Sequence, residues 1–373
     1  MHLLRGAVRT YAWGSRTEIA EFTGRPSPTA HPEAELWFGA HPGDPAMLET
    51  EDGERSLLGE LRADPEGQLG PAVCARFGDM LPFLVKVLAA DEPLSLQAHP
   101  SAEQAAEGFE RENRLGIPVS APNRNYRDPS HKPELIVALG EFEALAGFRP
   151  AAGTIELMRA LGVTDLDPFV NLLSGQPDAD GLRALFTTWI TAPQPDLDVL
   201  VPAVIDGAIH YVCSGRTEFA AEARTVLELG ERYPGDAGVL ASLLLNRITL
   251  SPGEGIYLPA GNLHTYLNGM GVEVMANSDN VLRGGLTPKH VDVRSCCVSS
   301  ISRPRSTSWS GPRRSRTASN RCTAHRRRSS RCRCCTSTAT GSATRSMRRL
   351  ATTVRRYCCA PRARPSCMPR AAP

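Results

Sequence analysis

The last 80 residues of this 373-residue chain, from Arg294 onward, contain no lysine, no aspartate and no glutamate. Twenty of the chain's 42 basic residues are arginines of that stretch. The remaining 22 basic residues face 40 acidic ones upstream, a balance of −18 that the overall net charge of +2 conceals. Cysteine is scarce before the same boundary: only Cys74 and Cys213 precede it, and the other nine follow. That leaves no disulfide framework for the upstream part. No run of about 18 apolar residues offers a membrane-spanning helix, and the opening MHLLRGAVRTYAWG lacks the apolar stretch of a signal peptide. The expectation is a soluble, cytoplasmic protein of two or three folding units.

Three readings of the tail compete: a basic nucleic-acid arm, a cysteine-rich zinc module, or a shifted reading frame. No pair of CxxC units supports the zinc module. Back-translating Val-Arg-Ser-Cys-Cys-Val-Ser-Ser-Ile-Ser, which starts at Val293, with codons typical of GC-rich DNA and restoring a single lost C gives Val-Pro-Glu-Leu-Leu-Arg-Val-Val-Asp-Leu. That reads as an ordinary helix start, with proline early and acid in the first turn. A frame-shifted segment over 294–373, rich in Arg, Cys and Ser and disordered, is therefore expected, and resequencing the locus decides it.

Upstream, residues 1–150 mix strand-like runs such as PFLVKVLAA and PELIVAL with loops rich in proline and glycine, and AEQAAEGFERENR reads as an inserted helix. From 151 to 243 apolar residues recur three or four apart in TIELMRALGV, ADGLRALFTTWI and TEFAAEARTVLELGERY, which predicts a helical subdomain. Strand signals return over 244–293 in RITLSPGEGIYLPAGNLHTYLNGMGVEVMA. The fold expected is mainly β, a jelly-roll barrel in two segments with an α-helical insertion.

From Gly253 to Asn268 the sequence reads G-x5-P-x-G-x2-H-x3-N, which resembles the second motif of the cupin superfamily at each fixed position. Gly253 and Gly261 permit tight turns, Pro259 stiffens one, and His264 is held on a strand pointing into the barrel. In SLQAHPS, Gln97 and His99 lie two apart, so a strand turns both to one face. Glu134, in HKPELIVAL, adds a carboxylate at the mouth of another apolar strand. Singly, His264 reads as a hydrogen-bonded core histidine, Gln97 as a polar surface residue and Glu134 as a solvated strand-end charge. Together they form an N2O2 set suited to one Zn²⁺ or a similar divalent ion.

These segments, with FEALAGFRP, YLPAGNLHTYLNG, VEVMANSDNVLRGGLTPKHVDV and the amino-terminal YAWGS and AELWFGAHP, resemble the type I mannose-6-phosphate isomerases from about residue 8 to Val293. The resemblance implies metal-dependent interconversion of mannose 6-phosphate and fructose 6-phosphate by C1–C2 proton transfer through an enediol or enediolate. It places the reaction in mannose metabolism towards GDP-mannose. It also puts Lys86, His131, Lys132, Glu273, Asp279 and Arg283 around the pocket. Arg283 is the leading catalytic candidate, because its planar guanidinium can steady an enediolate or clamp phosphate. Lys132, His131, Asp279 and Glu273 are candidate bases, and Lys86, Glu273 and Ser95 candidate substrate contacts; Ser95 and Ser101 serve equally as loop and cap residues. The partner expected is a phosphosugar, with no nucleic acid or membrane, acting on a monomer.

Other readings stay open. Two histidines and a carboxylate on a cupin also suit an Fe(II) oxygenase, and a sugar-binding protein needs no catalysis. The family continues into a second β-domain, so a chain that lacks it is expected to expose apolar surface and to be impaired in activity.

Overall fold

A computed structural model of the chain describes residues 2–288, residue 291 and the backbone of 308–309. The expected disorder of the 294–373 tail thus lies outside the described residues, apart from the backbone of Ser308–Trp309, which pairs antiparallel with the strand Gly255–Leu258. The described residues combine antiparallel sheets with several helices.

One strand organises the sheets. His264–Ala276 is 13 residues long, and its two halves have different neighbours. The half from Gly269 onward pairs with Phe83–Ala90 on one side and Glu134–Ala138 on the other. The first half pairs instead with Phe142–Phe148, and His264 also stands opposite Gln97 of Leu96–Ala98. The change of partners coincides with a bulge between Tyr266 and Asn268 and with Gly269 at φ 110°, a conformation open to glycine and strained for residues with a Cβ. The strand thereby passes from one sheet into the next. Gly253 and Gly261 of the motif also take positive φ, 88° and 76°, in the turns that flank Gly255–Leu258.

Alternation along the strands decides what fills each side. Phe142, Ala144, Ala146 and Tyr266 join Leu88, Ile136, Ile256 and Leu258 in a core between the sheets. The intervening Leu145, Leu263 and Leu267 pack instead against the helices. Side chains this deeply buried contribute roughly 1.5–3 kcal/mol each. His264 lies on the inward side with Tyr266, and the ring of Tyr266 stacks edge-on against Phe142 at 5.2 Å.

A continuous run of helices lies between the strands Phe142–Phe148 and Leu245–Leu250, from Ala151 to Ser242. Ala179–Ile190 shows why the predicted pattern becomes a helix. Asp178 caps its first turn by accepting from the amides of Asp180 and Gly181, and Leu182, Leu185, Phe186 and Trp189 form the buried stripe. Ala151–Leu161 ends at the left-handed Gly162, as its GV terminus suggests. Gln194–Cys213 is the exception: it runs straight through an internal Pro202, because Leu197, Leu200, Val201, Val204 and Ala208 bury one face. Nearer the site, Ala102–Arg114 forms as predicted, and Ser101 caps it in a capping box with Gln104.

The bend at Gly269 is testable. A Cβ there would meet the carbonyl oxygen of Glu141 at 2.4 Å and Cα of Phe142 at 2.9 Å. Gly269→Ala should destabilise the protein by about 1–3 kcal/mol, read from the urea midpoint; an unchanged midpoint would mean that the strand does not need this backbone conformation.

Candidate metal centre

Three strands that are far apart in sequence deliver the candidate ligands to one place. Gln97 lies on Leu96–Ala98 and His99 directly follows it; Glu134 opens Glu134–Ala138; His264 opens the long strand. His99, Glu134 and His264 are 2%, 3% and 0% exposed, and their ligand atoms all lie within 4.8 Å of one another.

Each imidazole is fixed by a backbone carbonyl. His99 Nδ1 is 2.8 Å from the carbonyl oxygen of Asn280, and His264 Nδ1 is 2.9 Å from that of Asn262. A carbonyl only accepts, so each Nδ1 carries the proton and each Nε2 is left as a bare acceptor in the neutral ring. His99 is neutral at pH 7 because burial above all lowers its pKa to about 4. His99 Nε2 therefore faces Glu134 Oε2 at 3.2 Å as an acceptor facing an acceptor, and His264 Nε2 lies 3.3 Å from the same oxygen. Neither His99 Nε2 nor Glu134 Oε2 has a hydrogen-bond partner, although both are buried. Buried polar atoms left in this state are costly. Burial opposes ionisation of Glu134, but the imidazoles and the Lys132 ammonium, 3.4 Å from Oε1, hold its carboxyl well below its ordinary value. Two imidazole nitrogens converging on a carboxylate fit a divalent cation. Gln97 Nε2 lies 3.4 Å from His264 Nε2, so the amide borders the same space.

The other predicted residues divide into two groups. Lys86 and Glu273 sit opposite each other on paired strands in a buried network. Lys86 Nζ is 3.3 Å from Glu35 Oε1, 3.9 Å from Glu273 Oε2 and 5.0 Å from the Trp37 ring centroid. Burial works against the Lys86 charge, but the carboxylates of Glu35, Glu273 and Glu134 outweigh it and raise its pKa. Burial and the nearby Glu134 push Glu273 up to about 7, and Tyr266 donates to it at 2.7 Å. Protein carboxylates thus face the Lys86 ammonium.

The second group lines the outer side. Lys132 touches Glu134, and His131 beside it is exposed. Arg283 is paired in register with Gln97, and no carboxylate among the described residues forms an ion pair with it. Burial and the neighbouring Arg127 lower its pKa. Asp279 is bound to His41 at 3.2 Å with its side chain 48% exposed, and this hydrogen bond lowers its pKa. Ser95 is half-buried just before Leu96.

Sequence reasoning passed over Asn280, Asn262, Tyr266, Glu35 and Arg127. Tyr266 was within reach, since it lies two residues from His264 on one strand face. Glu35 and Trp37 share a face in AELWFG for the same reason, and the Trp37 indole donates to Glu35 at 2.7 Å.

A buried cluster of two histidines and a carboxylate, carried on antiparallel strands beside Arg283, is a donor set able to hold a divalent metal ion. The sequence pattern described as "Phosphomannose isomerase type I, catalytic domain" matches residues 1–151. The mannose-6-phosphate isomerase of Escherichia coli K12 is 41% identical over 294 residues, which cover 79% of this chain and 73% of that protein. The human protein of the same name is 34% identical over 310 residues, covering 78% and 70%. A crystal structure of the Salmonella typhimurium enzyme bound to fructose 6-phosphate and zinc superposes with a TM-score of 0.73 at 38% identity, covering 82% of this chain and 75% of that one. The chain belongs to the type I phosphomannose isomerase family.

Occupation of the cluster should appear in stability. Zn²⁺ added to chelator-treated protein should raise unfolding stability by about 2.7 kcal/mol at a free concentration a hundred times Kd. His264→Ala and Glu134→Gln should each lose that gain. A Zn²⁺-dependent gain of full size in His264→Ala would remove this histidine from the ligand set.

Proposed function

We propose that the chain interconverts mannose 6-phosphate and fructose 6-phosphate by moving a proton between C1 and C2 through an enediol or enediolate, with one Zn²⁺ held by Gln97, His99, Glu134 and His264. The observation that carries this reading is the buried meeting of His99, Glu134 and His264, with His99 Nε2 and Glu134 Oε2 lacking hydrogen-bond partners, in a chain of this family. When bound, the ion supplies Lewis-acid stabilisation of negative charge on the C1 and C2 oxygens. Gln97 needs only a half turn of its amide to present oxygen where nitrogen now stands.

The remaining steps belong to side chains. Lys132, buried and 3.4 Å from Glu134, is the best placed of the candidate bases to carry the proton. His131 and Asp279 lie further out, towards solvent, where they assist sugar entry and orientation. Arg283, with Arg127 nearby, offers donors without a competing carboxylate, suited to the phosphate or to the enediolate oxygen. Lys86 and Glu273 support the floor of the site from within their network, and Ser95 is a further hydroxyl beside it.

The two sheets that share the long strand are two walls of a cupin-type jelly roll in this reading. Residues 1–150 and 244–293 supply the catalytic domain, and 151–243 form a helical subdomain that covers one wall. The enzyme works as a cytoplasmic monomer on a free phosphosugar, without nucleic acid or membrane; no helix among the described residues is long and apolar enough to cross a membrane.

An anaerobic coupled assay on mannose 6-phosphate tests the reaction; oxygen-dependent turnover without isomerisation overturns it in favour of an oxygenase. In D₂O, deuterium should enter the product at the carbon that receives the proton, and isomerisation without any exchange would point to hydride transfer. Lys132→Met should lower kcat by roughly 10²-fold or more. Arg283→Ala should lower kcat/KM by about 10²-fold, with Arg283→Lys recovering only part. Wild-type turnover in either variant would withdraw that residue's role.

A further inference from the structure

His99 is oriented by a main-chain carbonyl, and the residue that owns this carbonyl is itself held with unusual completeness. Asn280 is 0% exposed. Its side-chain oxygen accepts from the amides of Arg127 at 2.7 Å and Asp128 at 3.3 Å. Its side-chain nitrogen donates to the carbonyls of Asp128 at 2.7 Å and Ser130 at 2.9 Å, with Asp128 Oδ1 at 3.4 Å. The Ser278 hydroxyl, which stands 3.3 Å from the Asn280 amide nitrogen, donates to Asp128 Oδ1 at 2.8 Å. Asp128 Oδ2 accepts the amide of Asp279 at 2.8 Å. One buried amide thus ties the 127–130 loop to the 278–280 segment. From that loop the chain runs straight on to His131, Lys132 and Glu134, while the carbonyl of the same asparagine fixes the proton of His99 on Nδ1.

We propose that Asn280 is a positioning residue for the metal centre: it sets the tautomer and direction of His99 and, through the same side chain, the placement of the segment that carries Lys132 and Glu134. The inference rests on His99 and Glu134 being metal ligands. Aspartate cannot take the place of this asparagine. The shape and the acceptor for two backbone amides survive in Asn280→Asp, but an oxygen would then face the carbonyls of Asp128 and Ser130. Outer partners that orient ligating histidines typically change metal affinity 10- to 100-fold.

The test is Zn²⁺ affinity of the full-length protein, measured by competition with a chromophoric chelator, together with the visible spectrum of the Co²⁺-loaded form. The wild-type protein binding one Zn²⁺ confirms the centre; failure of the wild type to bind sinks the metal reading itself. Asn280→Asp should raise the Zn²⁺ Kd 10- to 100-fold and alter the Co²⁺ bands. A buried polar control among the helices is Tyr211→Phe, which removes the hydroxyl that accepts the Phe219 amide at 3.1 Å. It should lower the thermal midpoint while leaving both metal readouts at wild-type values. If Asn280→Asp fails to fold, Ser278→Ala removes only the hydroxyl that steadies the joint and should raise the Kd severalfold. A wild-type Kd and Co²⁺ spectrum in folded Asn280→Asp, or in Ser278→Ala where the former does not fold, overturns the proposal. So does an equal loss of affinity in Tyr211→Phe.

Discussion

The contact between His99 Nε2, His264 Nε2 and Glu134 Oε2 is the constraint on which the rest of the structure turns. Three lone-pair-bearing atoms in van der Waals range, away from water, repel one another unless a cation or a proton lies among them. The two carbonyls that take the Nδ1 hydrogens turn each Nε2 towards Glu134, and burial keeps His99 neutral. The folding energy of the surrounding core therefore holds open a place of negative potential. The ligands come from chain segments around residues 97, 134 and 264, and no local interaction among them could keep that arrangement. Only the sheet does so.

How the sheet does it follows from the shared strand. At one end it places His264 opposite Gln97, and past the turn of Gly269 it places Glu273 opposite Lys86. Both ends carry buried charge, yet the two carboxylates behave oppositely. Glu134 has the Lys132 ammonium beside it and stays ionised, whereas burial and the nearby Glu134 charge push Glu273 towards neutral pH against the pull of Lys86. The Trp37 indole and the Tyr266 hydroxyl satisfy oxygens that Lys86 cannot reach well. The inner network is thus close to charge-balanced and closed. The outer side, with Arg127 and Arg283, carries unspent positive charge.

This difference explains what could be read from the sequence. Gln97, His99, Glu134 and His264 were legible because ligand chemistry needs particular residue types at strand spacing, and glycines and a proline at fixed distances announce the turns around them. The helical stretch was legible through its 3.6-residue stripe, which reappears as the buried face of Ala179–Ile190. Gln194–Cys213 was not, because Pro202 argues locally against a helix and only packing overrides it. Lys86 was legible only as a candidate substrate contact, because the carboxylate it meets, Glu35, lies 51 residues away. Asn280 was invisible for a deeper reason: its contribution runs through a backbone carbonyl and five short contacts to a loop about 150 residues earlier, and none of these leaves a pattern in spacing.

The placement of the arginines completes the physical picture. Arg283 occupies the register position opposite Gln97, so the strand pairing that positions one candidate ligand also positions a guanidinium. Burial and Arg127 both make its charge costlier, and no carboxylate among the described residues forms an ion pair with it. A cation kept in that condition favours whatever anion can reach it, and the gain grows as the surroundings become drier. An anionic sugar arriving there would neutralise an existing repulsion between two arginines while its other end approached the cluster of His99, Glu134 and His264. Binding energy from the non-reacting phosphate would then be available to orient the reacting carbons, which is how remote charge contributes to a proton transfer that it never touches.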